Sequence, residues 1–246
     1  MSWERVTSTD ERGGGAARPS VWICALLQAG DSFYPTGSYA HSFGLEGLVQ
    51  EGVVRDRATL REFLFQAVLP ALKRVELPIA VQAWGALGAR EWKRVGEICV
   101  LASALKTSRE ARLASENIGR QRAELVATLR GDEAAKEFLA RAKAEGWPFS
   151  ASVSAALEGL AIGAPREAML AGIVYSTVSA MVSAAMKLLR LGQNASQSLL
   201  TEVLGEAPAV IAAAERVAIE EIGWFNPWLD IAAARHETAD ARMFIS

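Results

Sequence analysis

The strongest structural pattern in the chain lies in "PREAMLAGIVYSTVSAMVSAAMKLLRLG", residues 165–192. Apolar residues recur in it at helical spacing and form one wide stripe: Leu170, Ile173, Val174, Val178, Met181, Ala185 and Leu189. Small residues recur every four positions on roughly the opposite side: Gly172, Ser176, Ala180 and Ala184. Because small side chains let another helix approach closely, the pattern predicts a helix covered on both sides, at the centre of a bundle or at a subunit interface.

The middle of this helix carries no charge from Leu170 to Met186, so a membrane span is the alternative to a core helix. A spanning helix needs about 20 mostly apolar residues, whereas this stretch is shorter and includes several hydroxyl groups. Charged residues bracket it closely: Arg166, Glu167, Lys187 and Arg190. A buried central helix is therefore the favoured prediction.

The rest of the chain also carries a helical pattern, since alanine and leucine dominate and strictly alternating β-branched runs are missing. Further helices are expected over residues 21–30, 38–50, 59–70, 78–87, 91–105, 109–129, 131–145 and 149–163, and Gly146 is expected to end the helix 131–145. The segments 91–105 and 109–129 fit either one long helix or two abutting ones. No internal repeat or domain boundary is evident. The fold class is all-α, a single-domain bundle of roughly ten helices.

Local signals refine this pattern. Thr59 to Glu62 has the spacing of a capping box, with the Thr59 hydroxyl as the predicted N-cap. Pro70 should kink or end that helix, and Pro78 should open the next one at its first turn. In the segment 109–129 the charges are interpreted as a solvated face. The apolar residues available for its other side are Leu113, Ile118, Leu125 and Val126.

Bulk composition limits the function classes. Of 246 residues, 51% are hydrophobic and 22% charged, which supplies a sizeable core and argues against disorder of the whole chain. The formal net charge of −2 argues against a general nucleic-acid binder. Residues 1–20 are predicted to be a mobile tail before a helical domain at 21–246. They do not resemble a signal peptide, so a cytoplasmic protein is expected.

The few candidate chemical groups do not form a convincing active site. Cys24 and Cys99 lie far apart in apolar surroundings and are predicted to be small buried hydrophobic residues. A catalytic zinc site often uses several histidines, but the chain has only His41 and His236. A metal-dependent enzyme that adds Cys24 or Glu46 to these two histidines remains as a minor alternative. We find no phosphate-binding loop and no nucleophile elbow, and we assign no catalytic residue, metal ligand or cofactor.

Two aromatic clusters point instead to surface recognition. The first is "YPTGSYAHSFGLEGL", residues 34–48, called here the early motif, which follows Phe33. The second is "WFNPWLDIAAARHETADARMFIS", residues 224–246, called here the C-terminal segment. Aromatic side chains and arginines are the residues that anchor protein interfaces, whereas chain ends are normally polar and frayed. Partner docking is therefore favoured for the C-terminal segment, although core packing remains the simpler interpretation for Trp224 or Trp228 alone.

Three stretches taken together resemble the UreF family of urease accessory proteins. They are "PTGSYAHSFGLE" at 35–46, "KLLRLGQNASQ" at 187–197 and "HETADARMFIS" at 236–246. Each is weak alone, but the three occur in the family's order and span nearly the whole chain after the first 20 residues. The stretches depart from the family pattern at four positions: Arg190, Ala195, Ala241 and Ile245.

The resemblance implies an all-helical, dimeric chaperone without enzymatic activity, which joins the accessory protein UreD (UreH in some organisms) and the GTPase UreG. Such an assembly delivers nickel to apo-urease and regulates the GTPase. By the same resemblance, one set of residues would dock the UreD-type partner: Tyr39, His41, Ser42, Glu46, Arg235, His236, Glu237, Arg242 and Phe244. Another set matches positions associated with the dimer and the UreG-facing surface: Lys187, Gln193 and Asn194. An unrelated helical adaptor that shares these motifs is the alternative.

Overall fold

The computed structural model describes residues 21–36 and 44–226 of the chain. Within them the regular structure is helical, without strands, which confirms the all-α, single-domain prediction. The α-helices are α1 (Trp22–Gly30), α2 (Leu45–Gln50), α3 (Arg57–Phe63), α4 (Leu69–Ala71), α5 (Leu77–Gly88), α6 (Trp92–Ala104), α7 (Arg109–Leu129), α8 (Glu133–Glu145), α9 (Ala151–Ala161), α10 (Arg166–Leu188), α11 (Gln193–Leu204) and α12 (Ala207–Ala214). A 3-10 turn follows at Ile219–Glu221.

Helix α10 lies at the centre of the bundle, as its sequence predicts. It packs against α1, α2, α5, α9, α11 and α12. On its small face, a Cβ added at Gly172 would lie 3.1 Å from Leu26 Cδ1, so this glycine lets α1 approach closely. Within the described residues α10 is also the one helix long and apolar enough to cross a membrane, and 44% of its most apolar window is buried. A central core helix has the same length and composition.

Residues 57–88 form one continuous helical run that contains both prolines. Two π-helical segments, Leu64–Val68 and Leu72–Glu76, alternate with α3, α4 and α5. Each π segment ends in an i→i−5 bond just before a proline, from the Leu69 N–H to the Leu64 carbonyl and from the Leu77 N–H to the Leu72 carbonyl. A proline inside an α-helix removes one hydrogen bond and clashes with the preceding turn. The wider π turns accommodate both prolines, so Pro70 does not end the helix.

The start of this run corrects the predicted cap. The N-cap is Asp56, whose side chain accepts a hydrogen bond from the Thr59 N–H at 2.9 Å. Thr59 is the third helical residue, and its hydroxyl oxygen accepts a hydrogen bond from the Asp56 N–H at 3.1 Å. The prediction that Thr59 caps the helix was therefore wrong, because the carboxylate three residues earlier takes that role. Gly146 does end α8, in the left-handed conformation favoured by glycine.

The segments 91–105 and 109–129 form two helices, α6 and α7, rather than one. The face of α7 departs from the sequence interpretation in two ways. Leu113 is 44% exposed, and Arg122 turns inward to a buried carboxylate instead of solvent. Ile118 and Val126 are buried as expected. Helix α7 packs most extensively against α9. The two approach closely at Gly119, where an added Cβ would lie 2.5 Å from the backbone carbonyl carbon of Ser150.

The two cysteines differ in environment. Cys99 is fully buried in the core, and this burial raises the pKa of its thiol to about 12. Cys24 lies on the outer side of α1 and is exposed, so the prediction that both cysteines are buried was wrong for Cys24. Helix α1 is short and packs on α10 through its other side, where Ala25 and Ala29 are buried.

Candidate functional site

The early motif begins in a tight loop that precedes α2. The Asp31 carboxylate accepts the Phe33 N–H at 2.7 Å, and the Thr36 N–H donates to the Tyr34 carbonyl at 2.7 Å. After residues 37–43, the described chain resumes at Gly44, whose φ of 85° lies in the left-handed region that favours glycine. Of the predicted helix 38–50, the structure describes the part from Leu45, and it ends at Gln50 as expected.

Most docking residues suggested for the UreD-type partner lie outside the described residues. They are Tyr39, His41, Ser42, Arg235, His236, Glu237, Arg242 and Phe244. Glu46 lies in the first turn of α2 and is 3% exposed. It is therefore directed to the interior of the described structure, and its assignment to a docking surface stays a prediction. The suggested metal ligands His41 and His236 also lie outside, and the described residues contain no cluster of three potential metal ligands.

A buried carboxylate joins the early motif to the bundle. Glu158 of α9 is 2% exposed, and its Oε1 accepts a hydrogen bond from the Tyr34 hydroxyl at 2.6 Å. Its Oε2 accepts a hydrogen bond from Arg122 of α7, also at 2.6 Å. The Arg122 guanidinium carbon lies 6.0 Å from the centre of the Tyr34 ring. Burial and the bond to Glu158 both raise the pKa of the Tyr34 phenol, which therefore stays a hydrogen-bond donor.

Sequence reasoning missed this cluster. Tyr34 belongs to the early motif, but its partners lie 124 and 88 positions further along the chain. One signal was available, because Glu158 is the single charged residue in the apolar helix Ala151–Ala161. A lone charge on such a helix must find a partner if it is buried. Arg122 carried no comparable signal, since it is one of several charges on α7.

A second ionic group lies nearby and links three elements. Lys106 pairs with Glu76, at the end of the second π segment, and the Ser152 hydroxyl donates to the other Glu76 oxygen at 2.6 Å. Burial acts to raise the pKa of Glu76. The charge of Lys106 and the hydrogen bonds from Lys106 and Ser152 outweigh it, so the pKa of Glu76 lies below its ordinary value. Glu76 is therefore ionised at neutral pH.

Both ionic groups border a cavity of about 320 Å³. Its lining comes from α1, the π segments, α9 and the small face of α10, where Gly172, Ser176 and Ala180 contribute. The cavity also brings together the surroundings of both aromatic motifs. Ser32 lies just before the early motif and Gly44 lies within it, whereas Trp224 and Asn226 belong to the start of the C-terminal segment. All four contribute to the lining. Regions about 180 residues apart in sequence thus meet at one place.

The start of the C-terminal segment is fixed to the bundle. The Gly223 N–H donates to the Arg74 carbonyl at 3.1 Å, and Trp224 packs against the hydrophobic core. Phe225, the next residue, is largely exposed. The described chain ends at Asn226, on the edge of the cavity. Core packing is thus the correct interpretation for Trp224, whereas Trp228 lies outside the described residues.

The neighbourhood of the cavity also exposes apolar side chains. Phe33 is 93% exposed, beside the early motif. Helix α1 contributes Leu26 to the cavity, and its outer residues Ile23 and Leu27 are exposed, as is Val21 just before it. Ile23 and Leu27 lie one helical turn apart, and exposed apolar side chains that neighbour one another in this way are typical of interaction sites.

The three residues associated with the dimer and the UreG-type partner lie elsewhere. Lys187 is exposed in the last turn of α10, and Gln193 and Asn194 are exposed in the first turn of α11. The structure thus brings the three together at one helix junction. None of them contributes to the cavity lining.

Comparison with known proteins identifies the family. The UreF family model matches residues 54–204, which is more than half of the chain. The urease accessory protein UreF of Methylibium petroleiphilum is 33% identical over 91% of this chain and 94% of its own length. UreF 1 of Brucella melitensis is 32% identical over 98% of this chain and 99% of its own, and UreF of a Bradyrhizobium species is 31% identical over 95% of both.

These matches define the class as accessory proteins rather than enzymes. The chain belongs to the UreF family of urease accessory proteins. The resemblance carried by the three short stretches is confirmed by a match that covers nearly the whole chain.

Proposed function

We propose that this chain is a scaffold in urease maturation. It assembles as a homodimer with a UreD/UreH-type accessory protein and a UreG-type GTPase in the cytoplasm. The complex delivers nickel to apo-urease, and the chain regulates the GTPase without catalysing a reaction itself. Membership of the UreF family supports this role, as do relatives of nearly equal length whose names describe them as urease accessory proteins.

The observation that carries the proposal is the meeting of the two motifs at one cavity. Ser32 and Gly44, at the early motif, line the same cavity as Trp224 and Asn226, at the start of the C-terminal segment. A docking surface built from both therefore requires no large rearrangement of the bundle. The exposed apolar side chains of Phe33 and α1 supply the kind of surface that anchors a protein partner.

The proposal assigns two separate surfaces. The UreD-type partner docks at the cavity end, through the early motif and the C-terminal segment. The residues proposed for it are Tyr39, His41, Ser42, Glu46, Arg235, His236, Glu237, Arg242 and Phe244. The second copy and the UreG-type GTPase use the α10–α11 junction with Lys187, Gln193 and Asn194. Exposure of these last three side chains supports their assignment.

Variants at the two surfaces test this division in cells that lack their own UreF. Arg242→Ala combined with Phe244→Ala should lower urease activation and weaken capture of the UreD-type protein about 10-fold or more, because interface arginines and aromatics carry much of the binding energy. Lys187→Ala should instead weaken capture of the UreG-type GTPase by a preformed complex of this chain and the UreD-type protein.

Val100→Ala serves as a control, since Val100 is exposed on α6 and belongs neither to the cavity lining nor to the residues proposed for either surface. It should leave activation unchanged. If the Arg242 and Phe244 variant activates urease as well as the unchanged chain does, the proposed docking surface is wrong.

A further inference from the structure

We propose that Glu158 is a positioning residue for partner docking, which holds the early motif in place through Tyr34 and Arg122. The inference rests on the proposed function and deepens it. It names a part of the docking machinery that lies inside the bundle and not on its surface. Its parts are a loop tyrosine, a buried carboxylate and an inward-turned arginine.

Three elements meet at this one carboxylate. The loop 31–36 contributes the Tyr34 hydroxyl, α7 contributes Arg122, and Glu158 itself comes from α9. Each carboxylate oxygen accepts one hydrogen bond of 2.6 Å, so the two donors are held by the two oxygens of the same carboxylate. Hydrogen bonds to a charged acceptor are the stronger ones in proteins. The loop is therefore tied to α7 and α9, the two helices with the most extensive contact among the described residues.

Stability alone does not account for the cluster. The Arg122 Nε is buried without a hydrogen-bond partner among the described residues, and the side chain as a whole is only 15% exposed. Removing charges from water is costly, and well-packed apolar residues often replace a buried ion pair without loss of stability. A buried pair with an unsatisfied N–H is thus a poor way to stabilise a helical core. It can select one arrangement of the loop, because the arrangement with the Tyr34 hydroxyl at Oε1 and Arg122 at Oε2 satisfies both carboxylate oxygens.

The position of Tyr34 shows what this arrangement controls. Tyr34 is 7% exposed, and its carbonyl accepts the Thr36 N–H, which sets the direction in which the chain leaves the loop. Glu158 and Arg122 also line the cavity where Trp224 and Asn226 begin the C-terminal segment. The cluster thus fixes the position of the loop relative to both halves of the proposed docking surface.

Tyr34→Phe tests the inference, since it removes one hydroxyl and keeps the ring. Hydrogen exchange should become faster for the backbone N–H groups of residues 31–34 and of Thr36, because the loop loses its tie to α9. Affinity for the UreD-type protein should fall about 10-fold, which is the size expected for loss of a hydrogen bond to a charged group. Affinity for the UreG-type GTPase should change less than about twofold, since distant sites act independently.

Ser103→Ala is the matched control. It also removes one hydroxyl donor to a glutamate, because the Ser103 hydroxyl donates to Glu116 at 2.8 Å between α6 and α7, outside the cavity lining. It should alter neither loop exchange nor partner affinity. Unchanged loop exchange in Tyr34→Phe overturns the inference, and so does faster exchange with unchanged affinity. If the unchanged chain fails to bind the UreD-type protein, the proposed function fails, while the exchange result still decides whether Glu158 holds the loop.

Discussion

At the scale of single residues, two glycines inside helices make opposite predictions. Gly119 of α7 faces the Ser150 backbone, where an added Cβ would lie 2.5 Å from the carbonyl carbon, whereas Gly85 of α5 has open space around it. Gly119→Ala should destabilise the fold by about 2 kcal/mol or more, because a backbone segment must move. Gly85→Ala should stabilise it by about 0.5–1 kcal/mol, because alanine is the better helix former.

Urea unfolding followed by circular dichroism measures both changes. Gly85→Ala serves as the control for the chemical change itself, since both variants add one methyl group within a helix. Equal effects of the two substitutions would contradict the close approach of α7 and α9.

Glu76 makes a prediction about pH. Its pKa is lowered in the folded chain, so it contributes stability that is present above the ordinary value of 4.5 and is lost as the pH falls through the lowered pKa. Glu76→Gln should therefore cost about 2 kcal/mol at neutral pH, since a charged hydrogen-bonded partner of Lys106 is lost. The difference from the unchanged chain should shrink below about pH 4.5.

Thermal or urea unfolding at several pH values measures this difference. Glu133→Gln is the control, because Glu133 pairs with Lys136 at the surface and its side chain is 76% exposed. That variant should be nearly neutral throughout. A stability difference for Glu76→Gln that stays constant down to pH 3 would show that the Lys106 pair does not depress the pKa of Glu76.

At the scale of elements, Pro78 explains how the helical run 57–88 can bind the chain near its C-terminal segment. Pro78 has no N–H to offer the carbonyl of Arg74 four residues earlier, and that carbonyl accepts the Gly223 N–H instead. Pro78→Ala should restore an intrahelical donor that competes for this carbonyl. Faster hydrogen exchange at Gly223 is the expected result, measured by mass spectrometry or NMR.

Pro70→Ala is the matched control, because it removes the other proline of the same run. The residue four positions before Pro70 is Gln66. The Gly223 N–H donates to the carbonyl of Arg74 and not to that of Gln66. Exchange at Gly223 should therefore stay unchanged in Pro70→Ala. Equal exchange at Gly223 in both variants would contradict the role assigned to Pro78.

The elements also show which parts of the fold were predictable. The apolar stripe of α10 and the ending of α8 at Gly146 follow from local spacing and backbone preference, so one sequence suffices to find them. The π segments could not be predicted from local sequence, because a proline normally predicts a break in a helix. Only tertiary contacts stabilise the wider turn. The Asp56 cap was missed because Asp56 and Thr59 both carry a side-chain oxygen that can accept a backbone N–H at the start of a helix.

At the scale of the whole molecule, the candidate site depends on contacts that cross the chain. The docking residues suggested by the family resemblance stay a prediction, and Lys187, Gln193 and Asn194 are exposed, as that prediction requires. The tie between Tyr34 and Glu158 spans 124 positions, and no local pattern specifies such a partner. The same holds for the cavity, which forms only when α1, α9 and α10 are assembled.

The central claim is that this chain joins a UreD-type protein and a UreG-type GTPase in one assembly. The most direct measurement is the mass of the species formed when all three proteins are mixed, determined by light scattering after size-exclusion chromatography. The account predicts one species that contains two copies of this chain together with both partners. Separate elution of this chain from both partners, at the mass it has alone, would contradict the account.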